Sequence, residues 1–503
     1  MSRQPIRSVL VVGGGTAGWM TASALSRLFP RERLDITVVE SDEIGIVGVG
    51  EATVPLLQQL HGLLDIDERD FLKATNGTYK LGIEFRDWGR VGDVFFHGFG
   101  DYGADLQGVQ PHHYWLKLRE LGDLAPLDDY SLPCAMGRRG RFTVPPRDPA
   151  HPASQFKHAY HFDAGLYGRF LRGHAERRGV TRVEGKIIDV ALRGKGGFVD
   201  RLTLADGRTL SADLYIDCSG FRGLLIEQAF ATGYDDWRHW LPCDSALAVP
   251  SENVGAPTPF TRSTARPAGW QWRIPLQHRT GNGHVYSSAF MSDDDARDML
   301  LAGLDGKALA EPRQLRFTAG RRKQSWNRNC VAIGLSAGFM EPLESTSIQL
   351  IQTAVARLVE LFPDGDFDPV VTQEYNRRTA DEYERIRDFL IAHYCLTRRT
   401  DSEFWRHCAA IELPDTLKQK LEVFAATGNV PLSTEESYAE PSWVAILVGN
   451  GLLPRRYDPL VDNIPEPELK RLFAQRSADL ARIAESMPTH AAFLQRFAQA
   501  KAA

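Results

Sequence analysis

Cysteine is scarce and scattered: six in 503 residues, at Cys134, Cys218, Cys243, Cys330, Cys395 and Cys408, with no CxxC pair. That spacing argues against a thiolate zinc site or a disulfide scaffold and fits a reducing compartment. Long apolar runs are missing as well. The N-terminal "SVLVV" ends in glycines after a few residues, which makes it a strand rather than a signal sequence, and no later stretch is long enough to span a bilayer. Nor is there a basic excess. The 59 Lys+Arg against 64 Asp+Glu leave a net charge of −5, so nucleic acid and anionic membranes have no electrostatic footprint to read. No repeat of solenoid period is present. The expectation is a soluble, cytoplasmic protein, 43% hydrophobic and 24% charged, too long for one core.

Glycine, by contrast, is placed with purpose. "SVLVVGGGTAGWMTASALSRL" reads as strand, glycine turn and helix, with Gly13, Gly15 and Gly18 in the G-x-G-x-x-G spacing and Thr16 and Ala17 opening the helix. The first glycine makes the tight turn, the second lets a pyrophosphate approach the backbone, and the third allows close helix–strand packing. "LDITVVES" follows as a second strand ending in Glu40, where an acid can accept from ribose hydroxyls about 20 residues past the fingerprint. Beyond it, "GIVGVGEATVP" holds Gly45, Gly48, Gly50, Glu51 and Ala52, a strap suited to lie along a large cofactor. "ADLYIDCSGFRGLL" and "NCVAIGLSAGFMEPLEST" supply two later strand–turn segments, the second with Gly334, Ala337 and Gly338. Dinucleotide-facing segments spread this widely favour FAD over NAD.

Three stretches could carry chemistry. The apolar spacing Ile348, Ile351, Val355, Leu358, Val359 and Phe362 predicts an amphipathic helix, with Ser345 or Thr346 as its N-cap. The amides at Thr346 and Ser347 would then present the positive end of that helix to an anion, with Glu344 just before it. "NGTYKLGIEFRDWG" alternates as one strand, Tyr79, Leu81, Ile83 and Phe85 on one face and Lys80, Gly82, Glu84 and Arg86 on the other. A lysine on a polar strand face is ordinarily solvated. Inside a closed pocket Lys80 would instead be a compact cation or an amine nucleophile. "VFFHGFGDYG" then brings His97 and Phe99, which suit either an aromatic slot or ordinary core.

The combination "GGGTAGW", "GVGEATVP", "GWQWRIPL" and "GLSAGFMEPLEST" resembles the flavin-dependent tryptophan halogenases, and the likeness extends to "SWVAILVGNGLLP". It implies an α/β, two-lobed, FAD-dependent monooxygenase-like fold, α+β in its substrate part and mostly helical towards the C-terminus. By the same resemblance a separate flavin reductase supplies reduced FAD, which reacts with dioxygen. A halide held at Thr346 and Ser347 becomes hypohalous acid, which travels to Lys80. Lys80 directs it onto an aromatic ring, and Glu344 polarises the halogenating species or takes the ring proton. Trp443, with His97 and Phe99, would sandwich that ring, while Trp270 and Trp272 would wall off the flavin. Two positions depart from the family pattern. Ser347 stands where glycine is frequent, and "TEESYAEPSW" lacks a matching grip for the amino-acid end of tryptophan. The resemblance therefore implies an indole-like substrate rather than free tryptophan, with bromide or chloride as halide. A flavin-dependent aromatic hydroxylase and a non-catalytic relative of the same fold are the alternatives, and a homodimer is compatible with the sequence.

In chain order, residues 1–368 are expected to form the FAD lobe, with a substrate-side insertion at about 63–159. Residues 369–503 are expected to form a helical lobe closing the substrate site, with no metal in the chemistry.

Overall fold

Ser8–Val12 is apolar on both faces, and four of its five side chains are buried. Such a strand needs partners on both edges and cover above and below. The computed structural model, which describes residues 5–44, 50–122, 124–148 and 151–499, supplies them. The strand lies in a six-stranded sheet ordered Trp326–Asn327, Cys330–Ala332, Leu214–Asp217, Ser8–Val12, Asp35–Glu40 and Thr181–Glu184. Every pair is parallel except the outermost, Trp326–Asn327 with Cys330–Ala332. The chain leaves Ser8–Val12 through the helix Thr16–Leu28 to the strand on one side, and much later supplies Leu214–Asp217 on the other. The carboxyl ends of these strands therefore flank a topological switch point, where open parallel sheets bind ligands. Beneath them, Val199, Leu202 and Leu204 of a small antiparallel sheet close a core around Leu10, Val12, Val39 and Tyr215.

A second sheet has seven strands, ordered Arg313–Arg316, Ser245–Ser251, Thr280–Tyr286, Gly269–Pro275, Thr261–Arg266, Gly82–Arg86 and Val94–Gly98. Its only parallel pair is Thr261–Arg266 with Gly82–Arg86. From residue 403 onward the described chain is helical, with helices at Glu403–Ala409, Asp415–Thr427, Glu440–Gly449, Glu466–Ser486 and His490–Gln499.

Contacts group the chain into two compact units. One comprises Met1–Gly77, Phe162–Arg238 and Phe317–Glu384; the other comprises Thr78–His161, His239–Arg316 and Arg385–Ala503. These units interleave along the chain, whereas a division at residue 368 follows chain order.

Two local expectations change. The segment from Thr78 to Arg86 is not one alternating strand but two, Thr78–Lys80 and Gly82–Arg86, in different sheets. Leu81 breaks the run because its N–H donates to Pro259 O and its carbonyl accepts from Phe99 N, both at 2.8 Å. Neither face of this segment is solvated: Lys80, Gly82 and Glu84 are buried along with the apolar set. Of the expected glycine strap, Gly45 and Gly48 lie outside the described residues, and Gly50–Ala52 forms a short strand.

Candidate active site

The first unit builds an open cradle from backbone at the end of its central strand. Gly13 leaves the central strand at φ +109°, and a Cβ there would sit 2.4 Å from the Cys218 carbonyl. Gly18 faces Gly13 O, which a Cβ would approach to 1.8 Å, so the helix packs tightly on the strand end. Gly15 is the exception, with nothing within 4 Å of its Cβ position. From Val9 to Leu25 only Gly13, Gly15, Thr16 and Ala17 keep partial exposure. Gly15 caps Thr16–Leu28 without a side chain, leaving the first-turn amides aimed at that open ground. Gly14, which the fingerprint reading passes over, is equally constrained: a Cβ would fall 1.5 Å from Glu40 Oε2.

Glu40 ends its strand as expected, already held. Trp19 Nε1 donates to Oε2 at 3.3 Å, while Arg182 pairs with Oε1 and Arg172 reaches it at 3.5 Å. Glu51 is half-buried, and desolvation lifts its carboxyl to about 7; Gly50 and Ala52 beside it are buried. The turn Gly334–Ser336 comes to the same place. Gly334 has φ +78°, and its Cβ position lies 2.8 Å from the Ala17 methyl. Ala337 and Gly338 face inward instead. Ala337 O accepts from Arg322 N at 2.7 Å, and Gly338 pairs with Arg321 in a small sheet. Asp217, at the neighbouring strand end, is fully buried and spends its carboxylate on the amides of Ser219, Leu225 and Ile226 at 2.8–3.0 Å.

Further along this unit, Pro342–Glu344 forms a single turn, Ser345 takes φ +62°, and the helix Ser347–Glu360 begins. Thr346 is its N-cap by position, but its side chain makes no capping bond. The Thr346 hydroxyl is buried with no hydrogen-bond partner among the described residues. An orphaned donor beside free helix amides suits an anion. Ser347 is half-buried, and Glu344 is buried at 1% exposure.

The second unit holds the other predicted residues. Lys80 has no exposed surface, so the solvated reading fails. Its Nζ lies 5.2 Å from the Phe99 ring centroid. Phe99 meets His97 edge-on at 6.3 Å, and His97 lies 6.0 Å from Phe389. Phe389 stacks on Tyr438 at 3.7 Å and meets Trp443 edge-on at 4.8 Å. These contacts join His97, Phe99 and Trp443 into one aromatic cluster through Phe389, which carries no sequence signal of its own. Trp443 and His97 are wholly packed, whereas Phe99 keeps an accessible face.

Behind Trp443 sits a buried ion pair. Lys420 Nζ contacts Glu436 Oε2 at 2.8 Å and lies 4.4 Å from the Trp443 centroid, while the indole N–H donates to Glu436 Oε1 at 3.2 Å. Trp270 and Trp272 share a face of Gly269–Pro275, their centroids 6.0 Å apart. Trp270 packs beside Trp88 at 6.4 Å, and Trp272 lies over Gly283 of the next strand. Among the described residues no His, Cys, Asp or Glu group is poised to hold a metal ion, and no helix is long and apolar enough to cross a membrane.

Comparison with known proteins bears on this arrangement. Residues 8–466 match the family model described as tryptophan halogenase. BrvH, a flavin-dependent halogenase from Brevundimonas sp. BAL3, is 50% identical with a TM-score of 0.95, covering 98% of this chain and 99% of that one. Xcc4156, a flavin-dependent halogenase from Xanthomonas campestris, is 46% identical with a TM-score of 0.95, covering 99% and 100%. Tryptophan 6-halogenase SttH of Streptomyces toxytricini is 37% identical over 487 residues, 90% of each chain.

Proposed function

The chain belongs to the tryptophan halogenase family, and on that premise we propose that it halogenates an uncharged indole-like ring through Lys80. It is a flavin-dependent halogenase of two-lobed, FAD monooxygenase-like fold, and FAD, dioxygen and a halide are its co-reactants. When bound, reduced FAD together with dioxygen would supply the two-electron oxidant that turns halide into hypohalous acid. The cradle fits that cofactor: Gly15 opens onto free space, helix amides face it, and Gly334 meets Ala17 at its rim. The adenosine end falls to Glu40, and Glu51 with Gly50 and Ala52 lines the strap. Ala337 and Gly338 shape the turn from behind. A separate flavin reductase delivers the cofactor.

Thr346 and Ser347 hold the halide, a reading supported by the Thr346 hydroxyl at the helix start, which has no partner among the described residues. Lys80 receives the oxidant. As an ammonium it donates a hydrogen bond to hypohalous acid; as an amine it exchanges one N–H hydrogen for halogen and releases water. Either way the halogen is delivered as an electrophile to a ring carbon, and Glu344 accepts the proton that leaves. Trp270 and Trp272 are the barrier that reserves the oxidant for halide. His97, Phe99 and Trp443 shape the ring's pocket, with Phe99 offering the open face.

The observation that carries this reading is the fully buried Lys80 beside Phe99. A cation is kept out of water only where something compensates or uses it. The preference for an uncharged ring rests on Glu436, whose carboxylate is taken by Lys420 and Trp443 and is not offered to a substrate ammonium. The test is mass spectrometry of indole incubated with the protein, FAD, a flavin reductase, NADH and either bromide or chloride. Halogenated indole is expected, and Lys80→Ala should abolish it while reduced flavin is still reoxidised. Hydroxylated indole alone, or product from Lys80→Ala, overturns the reading.

A further inference from the structure

Lys80 is reached from the far end of the chain. His490, the first residue of the helix His490–Gln499, is fully buried beside the strand Thr78–Lys80. Its Nε2 accepts the Tyr79 main-chain N–H at 3.2 Å, and its Nδ1 contacts the Pro257 carbonyl at 2.9 Å. A main-chain N–H only donates and a carbonyl only accepts, so the ring is neutral with its proton on Nδ1.

Thr78 is fixed by the same logic. It spends its one hydroxyl proton on Pro275 O at 2.7 Å, so it accepts from His161 Nδ1 at 3.1 Å. The bare Nε2 of His161 then receives the Thr261 hydroxyl at 2.9 Å. His161 has no exposed surface, and burial together with the nearby Lys80 charge pushes its ring well down from the usual histidine range. Two neutral imidazoles of fixed tautomer thus grip the two residues immediately before Lys80, one by side chain and one by main chain. The aromatic packing runs the same way. The Tyr79 ring stacks on Phe142 at 4.0 Å and meets Phe493, of the His490 helix, at 5.5 Å.

We propose that His490 and His161 are positioning residues for Lys80, and that the C-terminal helix is thereby part of the catalytic apparatus. This rests on the reading of Lys80 as the group that hands over halogen. Neither imidazole touches the substrate. Their work is to hold Thr78 and Tyr79 still, without placing a second cation beside the ammonium.

The test compares His490→Leu with His490→Gln in the full-length protein. Glutamine can accept from Tyr79 N–H and donate to Pro257 O; leucine can do neither. Reoxidation of reduced FAD is followed by absorbance, and indole halogenation by mass spectrometry. The leucine variant should lose about 10- to 100-fold in product formation, the scale of a reacting group displaced by about 1 Å. Flavin reoxidation should stay unchanged, and glutamine should restore most of the product. Thr78→Val, which removes the His161 anchor with little change in shape, should show the same split and serves if the leucine variant does not fold. Full product formation by both His490→Leu and Thr78→Val overturns the proposal, as does parallel loss of flavin reoxidation and product. Lys80→Ala in the same assays separates the two levels. If it still makes product, the role of Lys80 falls and this inference with it. If it makes none while the anchor variants are fully active, only the inference falls.

Discussion

At Thr346 a hydroxyl is buried without a partner among the described residues, at the start of a 14-residue helix. Left alone, such a group costs about 1–3 kcal/mol, so its persistence asks for a ligand. Thr346→Val keeps the shape and removes the hydroxyl. The KM for bromide should rise about 5- to 10-fold, corresponding to about 1–1.5 kcal/mol, while thermal stability is unchanged or higher. An unchanged KM would take the hydroxyl out of halide binding. Other residues were less legible in the sequence than this one. The left-handed turn at Gly13 and the contact of Gly18 with it are local, so the fingerprint spacing reveals them. The Cys218 carbonyl that also crowds Gly13 comes instead from the end of another strand. Gly14 does not stand out, because its constraint comes from Glu40 on another strand. The burial of Lys80 could not be read either, since an alternating pattern looks the same with one face wet or both dry. His490 lies 411 residues from Tyr79, and nothing in its surroundings signals a partner.

Strands show what pairing adds. Trp272 and Gly283 face each other across neighbouring strands, and a Cβ on Gly283 would sit 2.0 Å from the Trp272 ring. The indole is admitted only because its partner has no side chain. Gly283→Ala should therefore cost about 1–3 kcal/mol in denaturant unfolding, the usual scale for overpacking. Combined with Trp272→Phe, the loss should be clearly less than the sum of the single effects. Additive losses would mean that the two residues do not compete for space. The tryptophan pair was legible as a same-face strand motif; the glycine that seats one of them was not, because register links residues that the sequence keeps apart. The helix start at Ser347 was legible from its apolar spacing. Of the two caps expected there, Ser345 or Thr346, the Thr346 side chain makes no capping bond, because its backbone is already helical at φ −85° and ψ −12° rather than extended.

Over the whole molecule, burial keeps several imidazoles neutral. His61, His112, His284 and His490 are each pushed down to about 4, chiefly by desolvation. Their folded-state values lie below the unfolded one near 6.5, so the unfolded chain takes up protons that the folded chain refuses. Stability is therefore complete above about 6.5 and falls as pH drops towards 4. Each such histidine contributes up to about 1.4 kcal/mol per pH unit in that window. Denaturant unfolding between pH 7.5 and 5 should show a steep decline, and a flat profile would mean that these rings titrate normally.

The interleaving of the two units has a consequence for how the protein is made. Ser8 finds its partner Asp213 only 205 residues later. At about 5–20 residues per second, roughly 10–40 s of synthesis separate the two. Through that interval Val9–Val12 can pair with Asp35–Glu40 on one side, but the other edge stays apolar and open. The growing chain thus carries an unfinished sheet edge, the kind that pairs with neighbouring chains, until Leu214–Asp217 is made to cover it.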